Sequence, residues 1–157
     1  MRTISKRTQY GLKAVQALAR RYEEGPVLIG SLAKEESIPL KFLEAILLDL
    51  KSHGVLESKL GRKGGYHLSR PPSSINMGSL IRILEGPLAP LPCASESAYR
   101  PCEECEDAEI CGTRIIMRQV RDAVSAVLDR TTLADLLQQV ETCRRQRGDA
   151  APPMYYI

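Results

Sequence analysis

Four of the five cysteines fall within 19 residues, spaced Cys93-x8-Cys102-x2-Cys105-x5-Cys111, while Cys143 stands apart. Thiolates are soft ligands, suited to iron–sulfur clusters and to zinc. A reducing cytosol disfavours structural disulfides, so a cluster of thiols there reads as a metal or redox site. Three chemistries fit. The thiols can hold an iron–sulfur cluster (2Fe–2S or 4Fe–4S). Two of them can form a reversible disulfide without any cluster. They can also bind structural zinc. An inert loop is the plain alternative, and Cys143 reads as a free thiol near a helix end. Prolines 87, 90, 92 and 101 forbid a continuous helix or central strand across residues 86–110. The stretch is acidic, with Glu96, Glu103, Glu104, Glu106, Asp107 and Glu109 against Arg100 alone. A loop that long in a compact protein is usually functional or disordered.

Catalysis has little support. Gly61-x-x-Gly-Gly lacks the strand-to-helix context of a phosphate-binding loop. His53 and His67 lie far in sequence from the thiols, and His53 reads as a partner of a helix C-terminus. No apolar run approaches the roughly 18 to 20 residues of a membrane span. The N-terminus carries no apolar stretch before a cleavage site, which predicts a cytoplasmic protein.

The elements that must carry these groups follow from periodicity. Residues 5–22 read as a helix with Gly11, Ala14, Val15, Leu18 and Tyr22 on one face and Ser5 as its cap. Val27-Leu28 is a short apolar link, compatible with a single β-bridge. A second helix spans about 29–35. A third begins at Pro39 and buries Leu43, Ile46, Leu47 and Leu50. Then the period changes: 55–59 and 66–68 read as strands joined by the turn Gly61-Arg62-Lys63-Gly64-Gly65. Met77–Leu84 forms a short helix stopped by Gly86-Pro87. A long helix runs over 112–129 with Ile116, Val120, Ala123, Val124 and Val127 on one face, and Thr132 with Asp135 opens a last helix through Val140. The fold class is mainly α with a small β-hairpin wing. Residues 1–70 read as a winged helix-turn-helix, 71–92 as linker and short helix, and 93–111 as a cysteine-rich sensor loop. Residues 112–141 read as the long helix and terminal helix, and 142–157 as a flexible tail.

Three helices followed by a glycine-turned hairpin is the order in which a third helix enters the DNA major groove. Positions opposite its buried stripe then face the bases: Lys41, Glu44, Ala45 and Leu48. Lys41 can reach a phosphate or guanine, and Glu44 can accept from a cytosine amino group. Lys59, Arg62 and Lys63 sit on the wing, where they can meet phosphates. Arg2, Lys6, Arg7 and Tyr10 form a further cluster at the start of the first helix. Residues 1–70 hold 13 Lys and Arg against 7 Asp and Glu, a net of +6, whereas residues 71–157 carry −3. A basic first half is the footprint of a polyanion partner.

Five stretches, in order, carry a family resemblance: Thr8-Gln-Tyr-Gly-Leu-Lys-Ala-Val, Phe42-Leu-Glu-Ala-Ile-Leu, Gly61-Arg-Lys-Gly-Gly-Tyr-His-Leu, Leu84-Glu-Gly-Pro-Leu and Thr131-Thr-Leu-Ala-Asp-Leu-Leu. Over roughly residues 1–141 the chain resembles the IscR/NsrR/CymR regulators of the Rrf-two superfamily. The resemblance implies a homodimer on a pseudo-palindromic operator in double-stranded DNA, with helix 112–129 as the dimerisation helix. It implies that Cys93, Cys105 and Cys111 match the three cluster ligands of cluster-binding members. The interval from Cys93 to Cys105 is longer than in the best-known members. Positions that supply a fourth ligand in members of the family hold Arg114 and Gln9 here, neither an ordinary iron ligand, which leaves Cys102 as the candidate within the loop. Leu60 stands where members that read DNA through the wing often have Arg. The rival class is a non-DNA iron–sulfur or zinc protein.

Overall fold

The computed structural model describes residues 4–61 and 63–148. Three helices open the chain: α1 (Lys6–Arg20), α2 (Ile29–Glu35) and α3 (Leu40–Ser52). The side chain of Ser5 accepts from the Thr8 N–H and caps α1. Helix α1 is shorter than the 5–22 reading, because Arg21 and Tyr22 belong to the turn that closes it. Between α2 and α3 the chain reverses at Ser37, whose φ of 54° is left-handed. Pro39 occupies the N-cap of α3, one residue before the helix proper. Leu43, Ile46, Leu47 and Leu50 are buried as the spacing requires, and Lys41, Glu44, Ala45 and Leu48 are exposed.

Strands β1 (Leu56–Lys59) and β2 (Gly65–Leu68) pair antiparallel, with Leu56 opposite Leu68 and Lys59 opposite Gly65. Val27 adds a one-residue bridge: its N–H donates to the Tyr66 carbonyl and the Tyr66 N–H donates to its own, both at 2.9 Å. The wing is thereby fastened to the segment joining α1 and α2. Gly65 permits this contact. Its φ is +137°, and the Val27 carbonyl lies where a Cβ would stand. Gly65→Ala is therefore expected to cost about 1–3 kcal/mol, because backbone held in a region closed to L-residues costs that much. A denaturation midpoint equal to that of the unaltered protein would show that the bridge gives way without loss.

Helix α4 (Met77–Glu85) starts at Asn76, whose side chain accepts from Ser79 at 2.7 Å, and ends at Gly86. Helices α5 (Gly112–Arg130) and α6 (Leu133–Arg147) complete the chain. A second bridge joins Asn76 to Thr132: the Met77 N–H reaches the Thr131 carbonyl at 2.9 Å and the Leu133 N–H reaches Ile75 at 2.8 Å. The start of α4 and the α5–α6 corner are thus one joint. Thr132 and Asp135 form the expected capping box. Helix α6 continues past Val140 to Arg147 and stops at left-handed Gly148, so residues 142–147, read from the sequence as part of a flexible tail, are helical; the stretch after Gly148 lies outside the described residues. The apolar period ends at Val140, but Arg and Gln propagate a helix well. Within the loop, Pro92–Ala94 makes one short 3-10 turn, absent from the sequence reading.

The core is one cluster. Leu18, Leu32, Leu43, Leu47, Leu50, Leu56 and Leu68 from the first 70 residues pack with Ile75, Leu80, Leu84 and Leu133. The winged unit therefore closes on α4 and on the first turn of α6. Arg82 holds α4 to α5 through a two-pronged pair with Asp129, at 2.5 and 2.8 Å, and this pair keeps the Asp129 carboxyl below its ordinary pKa. No helix among the described residues is long and apolar enough to cross a membrane.

Candidate DNA-binding surface and cysteine loop

The exposed face of α3 carries Lys41 and Glu44 beside Leu48, all open to solvent. Tyr10 of α1 meets Phe42 of α3 edge to face, with ring centroids 5.7 Å apart at 85°, so Tyr10 is half-buried against that helix. Lys6 is exposed and donates to Gln9 at 3.3 Å. Arg7 points inward instead, to Asp49 at 2.6 Å and to the Leu84 carbonyl at 2.8 Å. On the wing Lys59 and Lys63 are exposed, and Leu60 is 96% exposed. Lys51, near the end of α3, donates to Ser58 of β1 at 2.7 Å and ties helix to wing. Arg2 and Arg62 lie outside the described residues. Lys6, Lys41, Glu44, Lys59 and Lys63 are thus open to solvent, whereas Arg7 is engaged by Asp49 and the Leu84 carbonyl.

The thiols are unevenly placed. Cys93 is buried in the Pro92–Ala94 turn, Cys102 is exposed, and Cys105 and Cys111 are half-buried. Cys111 is the N-cap of α5. The Cys105 thiol donates to Cys111 Sγ at 3.6 Å and has Cys102 as its other sulfur neighbour. The bond to Cys111, and then that to Cys102, push the Cys105 pKa up to about 12. At Cys111 the Arg114 N–H, then the Cys105 thiol and the Thr113 N–H, hold the pKa below the ordinary thiol value. A helix N-terminus lowers a thiol pKa in this way because its free N–H groups stabilise the anion. Cys111 is therefore the sulfur that ionises more readily, and Cys105 the one that donates to it.

Two arginines of α5 fix the loop. Arg114 Nε donates to the Cys93 carbonyl at 2.9 Å, its Nη1 donates to the Ala108 carbonyl at 3.0 Å, and its guanidinium lies 5.9 Å from the Tyr99 ring centre. Arg121 is buried. It donates to the Ala94 carbonyl at 2.6 Å and pairs with Asp122 at 2.5 Å and Glu96 at 3.0 Å. Neither role was read from sequence. The available signal was a second helical face of α5, Arg114, Met117, Arg121 and Leu128, turned inward beside the apolar stripe. The donor set fits a soft metal centre in type and number, and Cys105 neighbours both Cys111 and Cys102. Among the described residues no three His, Cys, Asp or Glu side chains converge as a finished ligand set, so a four-thiolate site requires the loop to close further.

The outer face of α5 is open: Ile116 is 48% and Val127 66% exposed, Ala123 is exposed, and Val120 and Val124 are half-buried. Only Arg121 of this helix is buried.

Known proteins share this arrangement. The pattern of the family Rrf2, described as an iron-dependent transcriptional regulator, matches residues 4–139. A putative HTH-type regulator, rrf2-like, of Rhodobacter capsulatus is 40% identical over 85% of this chain and 91% of its own length. CymR of Bacillus subtilis, the global cysteine regulator of that organism, is 34% identical over 98% of this chain and 99% of its own, and its solved structure superposes with a TM-score of 0.72. The structure of IscR from T. potens superposes with a TM-score of 0.71 at 30% identity, covering 99% of this chain and 97% of that one. With the helix order, the wing and these matches in agreement, the chain belongs to the Rrf2 family of DNA-binding transcriptional regulators.

Proposed function

We propose that the protein is a cytoplasmic homodimeric repressor that reads a pseudo-palindromic operator and holds an iron–sulfur cluster on the loop before α5. The observation that carries the reading is the close approach of Cys105 to Cys111, with Cys102 as the other neighbour of Cys105, at the N-terminus of a helix whose outer face is apolar and open. Cys93, Cys105 and Cys111 are the assigned ligands, with Cys102 as the fourth. Bound, the cluster supplies a redox- and iron-responsive group. The chain's own residues supply the rest. The N–H groups of Arg114 and Thr113 at the start of α5 lower the pKa of Cys111 and so favour its thiolate form. Arg114 and Arg121 hold the turn at Cys93–Glu96 against α5, so closure of the loop bears on that helix. Two copies of α5 packed through Ile116, Val120, Ala123, Val124 and Val127 set the distance between two α3 helices, on which half-site recognition depends. Ordering the loop stabilises only the conformation that binds the group.

A second reading rests on the 3.6 Å separation of Cys105 and Cys111: these two thiols can close to a disulfide, giving two protons and two electrons to an oxidant such as peroxide. The similarity to CymR supports it. Absorption spectroscopy on anaerobically prepared protein, with iron and sulfide determination, separates the two. Stoichiometric iron and sulfide support the cluster; a reversible thiol loss without either supports the switch, and stoichiometric zinc removes both.

At the DNA surface, Lys41 and Lys63 act through charge. Each phosphate contact releases counterions, so Lys41→Ala and Lys63→Ala are each expected to lower the slope of log affinity against log salt by roughly 0.9. Slopes and affinities unchanged in both variants would remove α3 and the wing from the interface.

A further inference from the structure

Arg7 lies in the basic stretch that the sequence assigns to DNA, yet its guanidinium, on a side chain 35% exposed, is engaged by the protein itself. Nη2 donates to Asp49 Oδ2 at 2.6 Å and Nη1 to the Leu84 carbonyl at 2.8 Å. Asp49 is on α3 and Leu84 is in the last turn of α4. Carbonyls in the last turn of a helix lack intrahelical donors, and a cation there also meets the negative end of the helix dipole. The clasp is reciprocal. Glu85, the next residue, accepts from the Ser5 N–H at 3.0 Å, from the Ser5 hydroxyl at 2.6 Å and from the Thr8 hydroxyl. The same α4 is held to α5 by Arg82 and Asp129, and α5 holds the cysteine loop through Arg114 and Arg121. Arg7 is thus where this series of contacts reaches α3.

We infer that Arg7 is a positioning residue for sequence reading: its fork between Asp49 and the Leu84 carbonyl sets the angle of α3 against α4, and the DNA backbone is not its partner. The inference rests on the reading of α3 as the recognition helix. An exposed phosphate contact and an internal strut differ in what they predict. A phosphate contact contributes to every duplex and to the salt slope. A strut contributes only where base edges must be met in register, and its two halves are not additive on removal.

The test uses the full-length dimer and a duplex selected by it from a random-sequence pool, with an unselected duplex as comparison. Binding is measured against salt for Arg7→Ala, Arg7→Lys, Asp49→Asn and the double variant Arg7→Ala with Asp49→Asn. Arg7→Ala and Asp49→Asn are each expected to weaken the selected duplex by about tenfold, with unchanged salt slope and unchanged binding to the unselected duplex. The double variant is expected to be no weaker than the worse single. Arg7→Lys is expected to fail like Arg7→Ala, because an ammonium cannot fork between two acceptors as a guanidinium does. Asp49→Asn is the sharpest arm: removing a negative charge near DNA tightens binding if only charge matters, so a loss marks the strut. If Arg7→Ala melts below the assay temperature, Asp49→Asn and Arg7→Lys carry the same comparison. A slope lowered by roughly 0.9 in Arg7→Ala, with Asp49→Asn neutral or tighter, overturns the inference and leaves the DNA-binding reading intact. An unaltered protein that selects no duplex overturns both.

Discussion

Val120→Glu with Val124→Glu is expected to convert the dimer to monomers in sedimentation experiments and to abolish operator binding. Both positions lie on the open face of α5, one turn apart, between exposed Ile116 and Val127. Across a twofold interface the change buries four carboxylates without partners. The penalty for burying an unpaired ion in a protein interior is several kcal/mol even after relaxation. At 1.4 kcal/mol per tenfold, the dissociation constant should rise by at least about ten-thousandfold. Folding of each protomer should survive, because the core is built from α1 to α4 with Leu133 and contains no side chain from that face. A monomer also presents one half-site reader instead of two, which removes the spacing requirement that gives selectivity. A dimer that persists at micromolar concentration with both glutamates would place the interface elsewhere.

The second large effect concerns the thiols. Alanine at Cys93, Cys105 or Cys111 is expected to abolish the visible absorption of anaerobically prepared protein. Cys102→Ala should weaken or alter the spectrum, and Cys143→Ala should leave it alone, since Cys143 is exposed on α6 in a different part of the fold. Under the proposed function, loss of the cluster should change affinity for operator more than for random DNA, because the loop is anchored on α5 through Arg114 and Arg121. An unaltered spectrum for Cys102→Ala would move the fourth ligand outside the loop, to the first helix of the partner subunit. Stoichiometric zinc without sulfide, in protein made with ample iron, would end the cluster reading.

How far these sites were legible in the sequence depends on the range of the interactions involved. The α3 stripe was readable because a 3.6-residue period fixes which of Leu43, Ile46, Leu47 and Leu50 turn inward, and so fixes Lys41 and Glu44 outward. The wing was readable because glycines mark the turn and the strands change period. The capping box at Thr132 is a four-residue pattern and was equally local. The internal partners of Arg7 were not legible, for the opposite reason. Its partners lie 42 and 77 residues away, and no local rule distinguishes an arginine facing phosphate from one facing Asp49. Arg121 posed the same problem. A buried arginine on an amphipathic helix looks like a surface charge until the carbonyl of Ala94 is seen beneath it. The end of α6 was missed because its last turns are made of good helix formers with no apolar period to reveal them.

The loop between the two arginine anchors has one more property. Arg100 donates from its N–H to the Pro92 carbonyl, and Ile115 donates to Cys111, but the acidic stretch between them is exposed and adds nothing to the core. Closing a flexible segment has an entropy that grows only with the logarithm of its length, about 0.6 kcal/mol for each doubling. Residues can therefore be added between Cys93 and Cys105 at almost constant fold stability, while the anchors at Cys93 and Cys111 stay in place. For the stability of the fold, the spacing of the sulfurs is a nearly neutral variable, so the metal or redox chemistry of the loop can be altered by insertion without unfolding the body that carries it.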